Sequence, residues 1–171
     1  AADFINFCDA YDIPVLSLTN VKGYAADVRS EKSIAKAVAK LRYAFANANV
    51  PKVNVITGEA YGSAYVTMNS KALGADVTYA WPDASIGMMD ANEAAKIMYA
   101  DDIAKSADVQ SVISEKAAEY AALQSGVESA AARGYVDTII SAEDTRKYVI
   151  GAFEMLFTKR EDRPAKKHGT V

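Results

Sequence analysis

The spacing of hydrophobic and polar residues predicts alternating helices and strands over the first half of the chain. Apolar residues three or four apart over residues 3–11 are typical of one helix face, formed by Phe4, Phe7, Cys8 and Tyr11. The apolar run at residues 13–18 predicts a buried strand, and a polar loop around Gly23 follows it. Ser33 is the predicted N-cap of a long helix that reaches about Asn47. Its core stripe is predicted at Ile34, Val38 (or Ala37), Leu41 and Phe45.

The second half continues the alternation. Strands are predicted at residues 53–57 and 75–81, with a glycine-bracketed bend and a helix over residues 63–73 between them. Asp90 and Glu93 have the spacing of a capping box, which predicts a helix start there. The later predicted elements are helices over residues 108–123, 125–133 and about 144–157, and a short extended segment at residues 135–140.

Strands that alternate with helices favour parallel pairing through helical crossovers, so this pattern predicts an α/β fold. No internal repeat, low-complexity tract or linker divides residues 1–157, which are predicted to form part of one domain. Residues 158–171 are polar and strongly basic, and we expect them to form a mobile tail unless a partner holds them.

Composition narrows the class of protein. The chain has 171 residues, of which 51% are hydrophobic and 24% charged, as in ordinary globular domains. Its net charge of −3 gives no indication of a nucleic-acid partner, and no apolar run approaches the length of a membrane span. Cys8 is the only cysteine, so a reducing, cytoplasmic location is predicted. The opening Ala1-Ala2-Asp3 lacks a methionine, which suggests a fragment or a processed chain.

Side-chain catalysis finds little support in this sequence. Ser63 lies at a strand-to-helix bend, but its neighbours do not match the G-x-S-x-G motif and the only histidine is His168. A serine nucleophile, paired with Lys71 for example, is therefore the weaker alternative. One histidine, one cysteine and scattered carboxylates do not make a metal-ligand set, so no metal is predicted. The adjacent carboxylates Asp101 and Asp102 are more typical of a solvated helix surface than of acid–base catalysis.

The bend itself offers a different chemical tool, its backbone amides. Gly58 and Gly62 allow positive φ angles and a close approach of the backbone. Ser63 and Ala64 would then begin a helix, where N–H groups lack partners within the helix and can bind a developing oxyanion. A tight strand–helix junction packed with small residues is the alternative, and spacing alone favours that alternative.

Three stretches of the sequence resemble the carboxyltransferase subunit of biotin-dependent acyl-CoA carboxylases and the related acyl-CoA decarboxylases. The resemblance covers essentially the whole chain and corresponds to the latter part of the C-terminal domain of that family. It implies a crotonase-like (ClpP/crotonase) α/β fold, a spiral of ββα units. The stretches that carry it are FINFCDAYDIPVLSLTNVKGY, VPKVNVITGEAYGSAYVTMNSKALGADVTYAWPDASIGMM and RGYVDTIISAEDTRKYVIGAFEMLFTKREDRPAKKHG.

The resemblance implies a role for the bend. In that family a segment of the form A-Y-G-G-A-Y supplies two backbone amides that polarise the ureido carbonyl of carboxybiotin and hold the biotin enolate. Carried over to this sequence, the donors are the amides of Ser63 and Ala64. The resemblance also implies contacts with biotin or substrate from a larger set of residues: Gly62, Tyr61, Tyr65, Val66, Gly23 and Tyr24.

Two departures from the family pattern affect this reading. Ser63 replaces the second glycine of the motif, and the P-G-F loop of the family appears as Lys22-Gly23-Tyr24. Val66 is expected to face the acyl pocket, where an apolar residue suits a short acyl chain such as acetyl or propionyl.

The same resemblance implies partners. They are an acyl-CoA substrate, a biotin carboxyl carrier protein, and the N-terminal carboxyltransferase domain of another subunit in a homo-oligomer. Because the family builds its active site between two domains, we expect this chain to be inactive alone. Two alternatives stay open: the alpha subunit of a methylmalonyl- or glutaconyl-CoA decarboxylase, which would add a membrane partner, and a non-catalytic oligomerisation module.

Two basic features have ordinary alternatives. Lys32, Lys36 and Lys40 lie four apart on one helix face, where they would meet CoA phosphates or an acidic carrier, but a solvated face is the favoured interpretation. The basic tail would either clamp a neighbouring subunit or remain solvated; its basic residues are Lys159, Arg160, Arg163, Lys166 and Lys167.

Overall fold

The fold is organised around one parallel sheet. A computed structural model describes residues 1–106 and 108–161. Its strands pair in the order β1–β2–β3–β5, with β4 pairing β2 beyond the end of β3, and all of these pairs are parallel. The predicted α/β class with a parallel sheet is thus confirmed. The strands are β1 Val15–Val21, β2 Lys52–Tyr61, β3 Val77–Ala80, β4 Ser85–Gly87 and β5 Thr138–Ile139.

Helices cover both faces of the sheet and connect its strands. They are α1 Ala2–Ala10, α2 Val28–Asn47, α3 Gly62–Thr67, α4 Ala91–Met98, α5 Ala100–Lys105, α6 Val109–Tyr120, α7 Val127–Ala132 and α8 Thr145–Met155. Short 3₁₀ turns lie at Lys71–Leu73 and Leu156–Thr158, and a π-helical turn at Ala121–Ser125 follows α6. None of the described helices is long and apolar enough to cross a membrane.

Two helix boundaries differ from the predicted ones. Helix α2 begins after Asp27, because the Asp27 carboxylate accepts hydrogen bonds from the amides of Arg29 and Ser30, both at 2.9 Å. Ser33, the predicted cap, lies inside the helix. The helix predicted to reach residue 73 ends at Thr67, because Asn69 adopts a positive φ of 57° and breaks the run.

Strand β2 is longer than the predicted segment 53–57 because it changes partner along its length. Its first part pairs β3 through Val53–Ile56, and its last part pairs β4 through Glu59–Tyr61. Strand pairing therefore continues through Gly58 to Tyr61, and α3 begins at the next residue. This direct strand-to-helix connection fixes the backbone of the bend on both sides.

The core has separate layers on the two faces of β2. Ile5, Cys8 and Phe45 of α1 and α2 pack with Val15 on one side. On the other side, Val53, Val55 and Tyr79 pack with Ala152 of α8. A third cluster, around Ile56, Tyr65, Ile86 and Val127, lies directly beneath the bend.

Helix α1 buries a different face from the predicted one. Of the predicted face, only Cys8 is buried, at 2% exposed. Phe4, Phe7 and Tyr11 are 64%, 54% and 67% exposed. The buried positions of this helix are Ala2, Ile5 and Cys8, which are three apart.

Two of the basic features have partners within the chain. Lys40 forms an ion pair with Asp3 at 2.9 Å, whereas Lys32 and Lys36 are exposed. Lys159, which the sequence assigns to the tail, contacts Asp76 at 2.9 Å and Glu161 at 2.8 Å, with its side chain only 10% exposed. The other basic positions of the tail, from Arg163 onward, lie outside the described residues.

Candidate functional site

The bend between β2 and α3 requires a glycine at residue 62. Gly62 has a φ of +57°, a left-handed conformation that L side chains rarely adopt. A Cβ atom at this position would lie 2.8 Å from the carbonyl oxygen of Met88. The backbone of β2 therefore turns into α3 in close contact with the chain that follows β4.

The amides of Ser63 and Ala64 follow this glycine. In the described part of the chain, neither N–H group donates a hydrogen bond to a backbone or side-chain acceptor. Ala64 is only 3% exposed, and buried backbone N–H groups in folded proteins almost always have a partner. Helix α3 has six residues, so donor strength at this bend depends on the individual peptides more than on a long helix dipole.

A cavity of about 530 Å³ opens beside the bend. Gly62, Ser63, Tyr65 and Val66 line one side of it, whereas Ala64, which is buried, is not among the residues that line it. No carboxylate contributes to its wall as described, whereas two arginines do. The environment therefore favours an anionic or oxyanionic group. The remaining lining residues are Arg42, Ser70, Ala72, Ile86, Gly87, Met88, Ala130, Arg133 and Tyr135.

Tyr65 has an unusual environment for a phenol. The residue is 7% exposed, and its hydroxyl oxygen is buried with no hydrogen-bond partner in the described chain. Burial, together with the nearby Tyr135, raises the pKa of Tyr65 to about 12. The phenol therefore stays neutral, and able to donate a hydrogen bond, throughout the physiological pH range.

Of the other predicted site residues, Tyr24 contacts the bend, whereas Gly23 and Tyr61 do not line the cavity. The hydroxyl of Tyr24 lies 3.0 Å from the carbonyl oxygen of Ser63, so the loop after β1 reaches the bend. Gly23 lies in that loop in open space. Tyr61 is 6% exposed and its hydroxyl donates to Ser85 at 2.9 Å, so its side chain points into the packing under β4 instead of lining the cavity.

Sequence reasoning missed the two arginines of the cavity wall. Arg42 lies on α2 and donates to the Ser63 carbonyl oxygen from Nη2 at 2.9 Å. Arg133 follows α7 and contacts the side chain of Gln124. The sequence offered one weak signal, since Arg42 lies four residues after Val38 and therefore borders the predicted core stripe.

A second groove lies along the outer face of α8. It encloses about 860 Å³ and is lined mostly by residues of that helix, such as Arg146, Tyr148 and Met155. It shares no lining residue with the cavity at the bend, and it contains none of the predicted site residues. No group of three or more potential metal ligands lies within the described residues.

The protein family described as the carboxyl transferase domain matches residues 1–171, which is the whole chain. The chain belongs to the carboxyl transferase domain family. The predicted membership is therefore confirmed for the full length, and the candidate site described above is a site in a carboxyl transferase domain.

Named relatives of this carboxyl transferase domain act in more than one kind of complex. The chain is 46% identical over 176 residues to the propionyl-CoA carboxylase beta chain of Saccharopolyspora erythraea, covering all of this chain and 32% of that protein. It is 43% identical to the methylmalonyl-CoA decarboxylase subunit alpha of Propionigenium modestum, covering 99% of this chain and 33% of that one. The chain thus spans about a third of the length of the curated relatives that it matches.

The fold agrees with that of a solved carboxyltransferase. The transcarboxylase 12S structure, described as a hexamer assembly with methylmalonyl-coenzyme A and methylmalonic acid bound, matches with a TM-score of 0.93 and 43% identity. The match covers 99% of this chain and 33% of the solved chain. The predicted crotonase-like fold, present here as part of a larger architecture, is confirmed.

Proposed function

We propose that this chain is the carboxybiotin-binding half of an acyl-CoA carboxyltransferase, which transfers a carboxyl group between carboxybiotin and a short-chain acyl-CoA. The observation that carries the proposal is the pair of unpartnered amides at Ser63 and Ala64, next to a cavity whose described wall holds arginines and no carboxylate. Family membership supplies the reaction class. The bend supplies donors of the kind that stabilise a developing oxyanion.

The residues at the bend fit the ureido group of biotin. Carboxybiotin on a carrier protein would supply the carboxyl group when bound, and its ureido oxygen is the acceptor that the bend would hold. The Ser63 and Ala64 amides would hold that oxygen, and Gly62 lets the backbone turn into α3 in close contact with the Met88 carbonyl. Tyr65 is a second donor at the cavity wall, because its buried hydroxyl has no partner in the described chain.

We propose that the apolar part of the cavity limits the length of the acyl group. Val66, Ile86 and Ala130 line it, and they would contact a short acyl group. Arg133 and Arg42 add positive charge to the same wall, which suits the anionic carboxyl group in transit. Acetyl- and propionyl-CoA are the substrates proposed on this basis.

The proposed partners are a biotin carboxyl carrier protein and the N-terminal carboxyltransferase domain of another subunit in a homo-oligomer. The hexameric assembly of the transcarboxylase 12S relative supports an oligomer. The surface of this chain also supports one, because β1 ends the sheet at one side and exposes Leu16 and Leu18, which are 42% and 59% exposed. We keep the prediction that the chain is inactive alone, and the cytoplasmic location stays a prediction from the single cysteine.

A decarboxylase alpha subunit is the second candidate. The 43% identity to a methylmalonyl-CoA decarboxylase subunit supports it as directly as the carboxylase relatives support the first. Both candidates use the same amide pair. Co-purification of a membrane subunit with the complete complex would favour the decarboxylase.

An assay of a complete carboxyltransferase subunit that includes this chain tests the proposal. With biotinylated carrier and a panel of acyl-CoAs, we expect carboxyl transfer to acetyl- or propionyl-CoA and little to chains longer than the cavity holds. The 171-residue chain alone should show none. Absence of transfer to every acyl-CoA, by a correctly assembled subunit, would contradict the proposal and favour an oligomerisation module.

Tyr65→Phe separates a binding role of this hydroxyl from a packing role. Because the hydroxyl has no partner in the described chain, we expect the free energy of unfolding to stay within about 1 kcal/mol or to rise. If the hydroxyl donates to bound biotin or acyl-CoA, transfer falls by about fivefold to tenfold. Urea unfolding and steady-state kinetics measure the two effects. A large loss of stability with unchanged kinetics would show that the hydroxyl serves the fold.

A further inference from the structure

Three side chains converge on a single backbone oxygen at the bend, the carbonyl oxygen of Ser63. Arg42 reaches it from Nη2 at 2.9 Å, the Thr67 hydroxyl lies at 2.8 Å, and the Tyr24 hydroxyl lies at 3.0 Å. These side chains come from α2, from α3 itself and from the loop after β1, so separate parts of the chain meet at one atom.

The number of available protons decides which of these side chains donate to the Ser63 carbonyl oxygen. A carbonyl oxygen has two lone pairs, and each hydroxyl has only one proton to donate. Tyr24 and Thr67 also bond each other at 2.8 Å, so one hydroxyl proton serves that contact and the other goes to Ser63. The Thr67 backbone N–H is also directed at this oxygen as the i→i−4 donor of α3, so more than two donors share it. Arg42 donates to the Ser63 oxygen from Nη2 and to the Thr67 hydroxyl oxygen from Nε at 2.9 Å, whichever way the two hydroxyl protons are arranged.

Arg42 is also a charged donor. It is half-buried, and no carboxylate forms an ion pair with it in the described ranges. Its guanidinium thus directs its donors at neutral oxygens, the Ser63 carbonyl and the Thr67 hydroxyl. Hydrogen bonds from a charged donor are shorter and roughly twice as strong as those between neutral groups.

The Ser63 carbonyl and the Ala64 amide belong to the same peptide group. The peptide is trans, so its N–H points away from the three side chains that hold its oxygen. Hydrogen bonds in series polarise one another, and donation to the oxygen makes the N–H at the other end a stronger donor. The same contacts also prevent the peptide from rotating.

We propose that Arg42 is a positioning residue that orients and polarises the Ser63–Ala64 peptide, so that the Ala64 amide binds the ureido oxygen of biotin more strongly. This inference rests on the proposed function. If Arg42 only linked α2 to α3, any acceptor on α3 would serve. The acceptor is instead the carbonyl oxygen of the Ser63–Ala64 peptide, whose N–H has no partner in the described chain.

A spectroscopic test addresses the peptide directly. Labelling serine with ¹³C at its carbonyl and alanine with ¹⁵N marks only Ser–Ala peptides, and the sequence contains four, beginning at Ser63, Ser106, Ser129 and Ser141. In the 171-residue chain, Arg42→Leu should shift the ¹³C resonance of Ser63 and the ¹⁵N resonance of Ala64, and leave the other three pairs unchanged. Lys36→Leu, which removes an exposed cation from the same helix, should shift none of them.

Steady-state kinetics in a complete subunit that includes this chain test the effect of Arg42 on carboxyl transfer. We expect Arg42→Leu to lower kcat by about tenfold, less than the loss of an amide donor would, with the KM for acyl-CoA within about twofold of that of the parent enzyme. Arg42→Lys, which keeps the charge and one donor, should recover part of the loss. Lys36→Leu should retain full activity.

A milder variant covers the case in which Arg42→Leu does not fold. Tyr24→Phe leaves the Thr67 hydroxyl free to donate to Ser63, so kcat should fall less than about threefold while the Ser63 resonance shifts only slightly. An unchanged Ser63 resonance or an unchanged kcat in a folded Arg42→Leu protein would overturn the inference, as would a larger loss in Tyr24→Phe than in Arg42→Lys. A parent subunit without any transfer activity would instead overturn the proposed function.

Discussion

Replacing Ala64 by its hydroxy acid, L-lactic acid, is expected to reduce carboxyl transfer by about 10²–10³-fold, the effect of losing one oxyanion donor. The replacement turns the Ser63–Ala64 amide into an ester, so one N–H is lost and the side chain is kept. The lost N–H has no partner in the described chain, but the ester carbonyl of Ser63 is a weaker acceptor for Arg42 and Thr67, so the free energy of unfolding should fall by about 1 kcal/mol. Single-turnover transfer from carboxylated carrier measures the first quantity, and urea unfolding the second.

The matched control is the same ester at Ala91. That residue begins α4, and its N–H also has no partner in the described residues, but neither of its neighbours in the sequence lines the cavity, whereas both neighbours of Ala64 do. We expect the Ala91 ester to retain full activity. Equal activity of the two esters would exclude the amide pair as the oxyanion site and favour a non-catalytic module.

The location of the bend could be predicted from the sequence because the signals for it are local. A β-rich run ends in small residues, and glycine supplies the φ angle that the turn needs. The parallel sheet follows from the alternation of strands and helices, which is also a pattern along the chain. The length of α3 was harder to predict, because Asn69 ends the helix through a positive φ that residues other than glycine adopt only occasionally.

The surroundings of the bend could not be predicted because they depend on contacts between distant residues. Arg42 and Tyr24 lie 21 and 39 residues before Ser63, and no spacing rule brings them to the same oxygen. Tyr24 entered the predicted site only through the family resemblance, and Arg42 was missed. The wrong face predicted for α1 has a similar cause. Phe4 and Phe7 are apolar at helical spacing, but the residues that pack against β1 and α2 are the smaller Ala2, Ile5 and Cys8.

Gly62→Ala is expected to damage both stability and activity. A left-handed conformation costs a residue with a Cβ about 1–2 kcal/mol, and this Cβ would also lie 2.8 Å from the Met88 carbonyl oxygen. The backbone must therefore shift, which brings the total loss of stability to about 2–4 kcal/mol. Because a displacement near 1 Å at a catalytic group can cost about 10²-fold in rate, we expect a loss of transfer of that order. Urea unfolding and transfer kinetics in a complete subunit measure these losses.

Two other glycines separate the cost of the left-handed conformation from the cost of the clash with the Met88 carbonyl oxygen. Gly134 has a φ of +80°, but a Cβ atom there would meet no other atom within 4 Å, so Gly134→Ala carries the conformational cost without the clash. Gly23 has neither constraint, so Gly23→Ala should be close to neutral for stability. We expect losses of stability in the order Gly62, Gly134, Gly23. If Gly62→Ala and Gly134→Ala were equally stable, the close approach of the Met88 carbonyl would not be what requires a glycine at the bend.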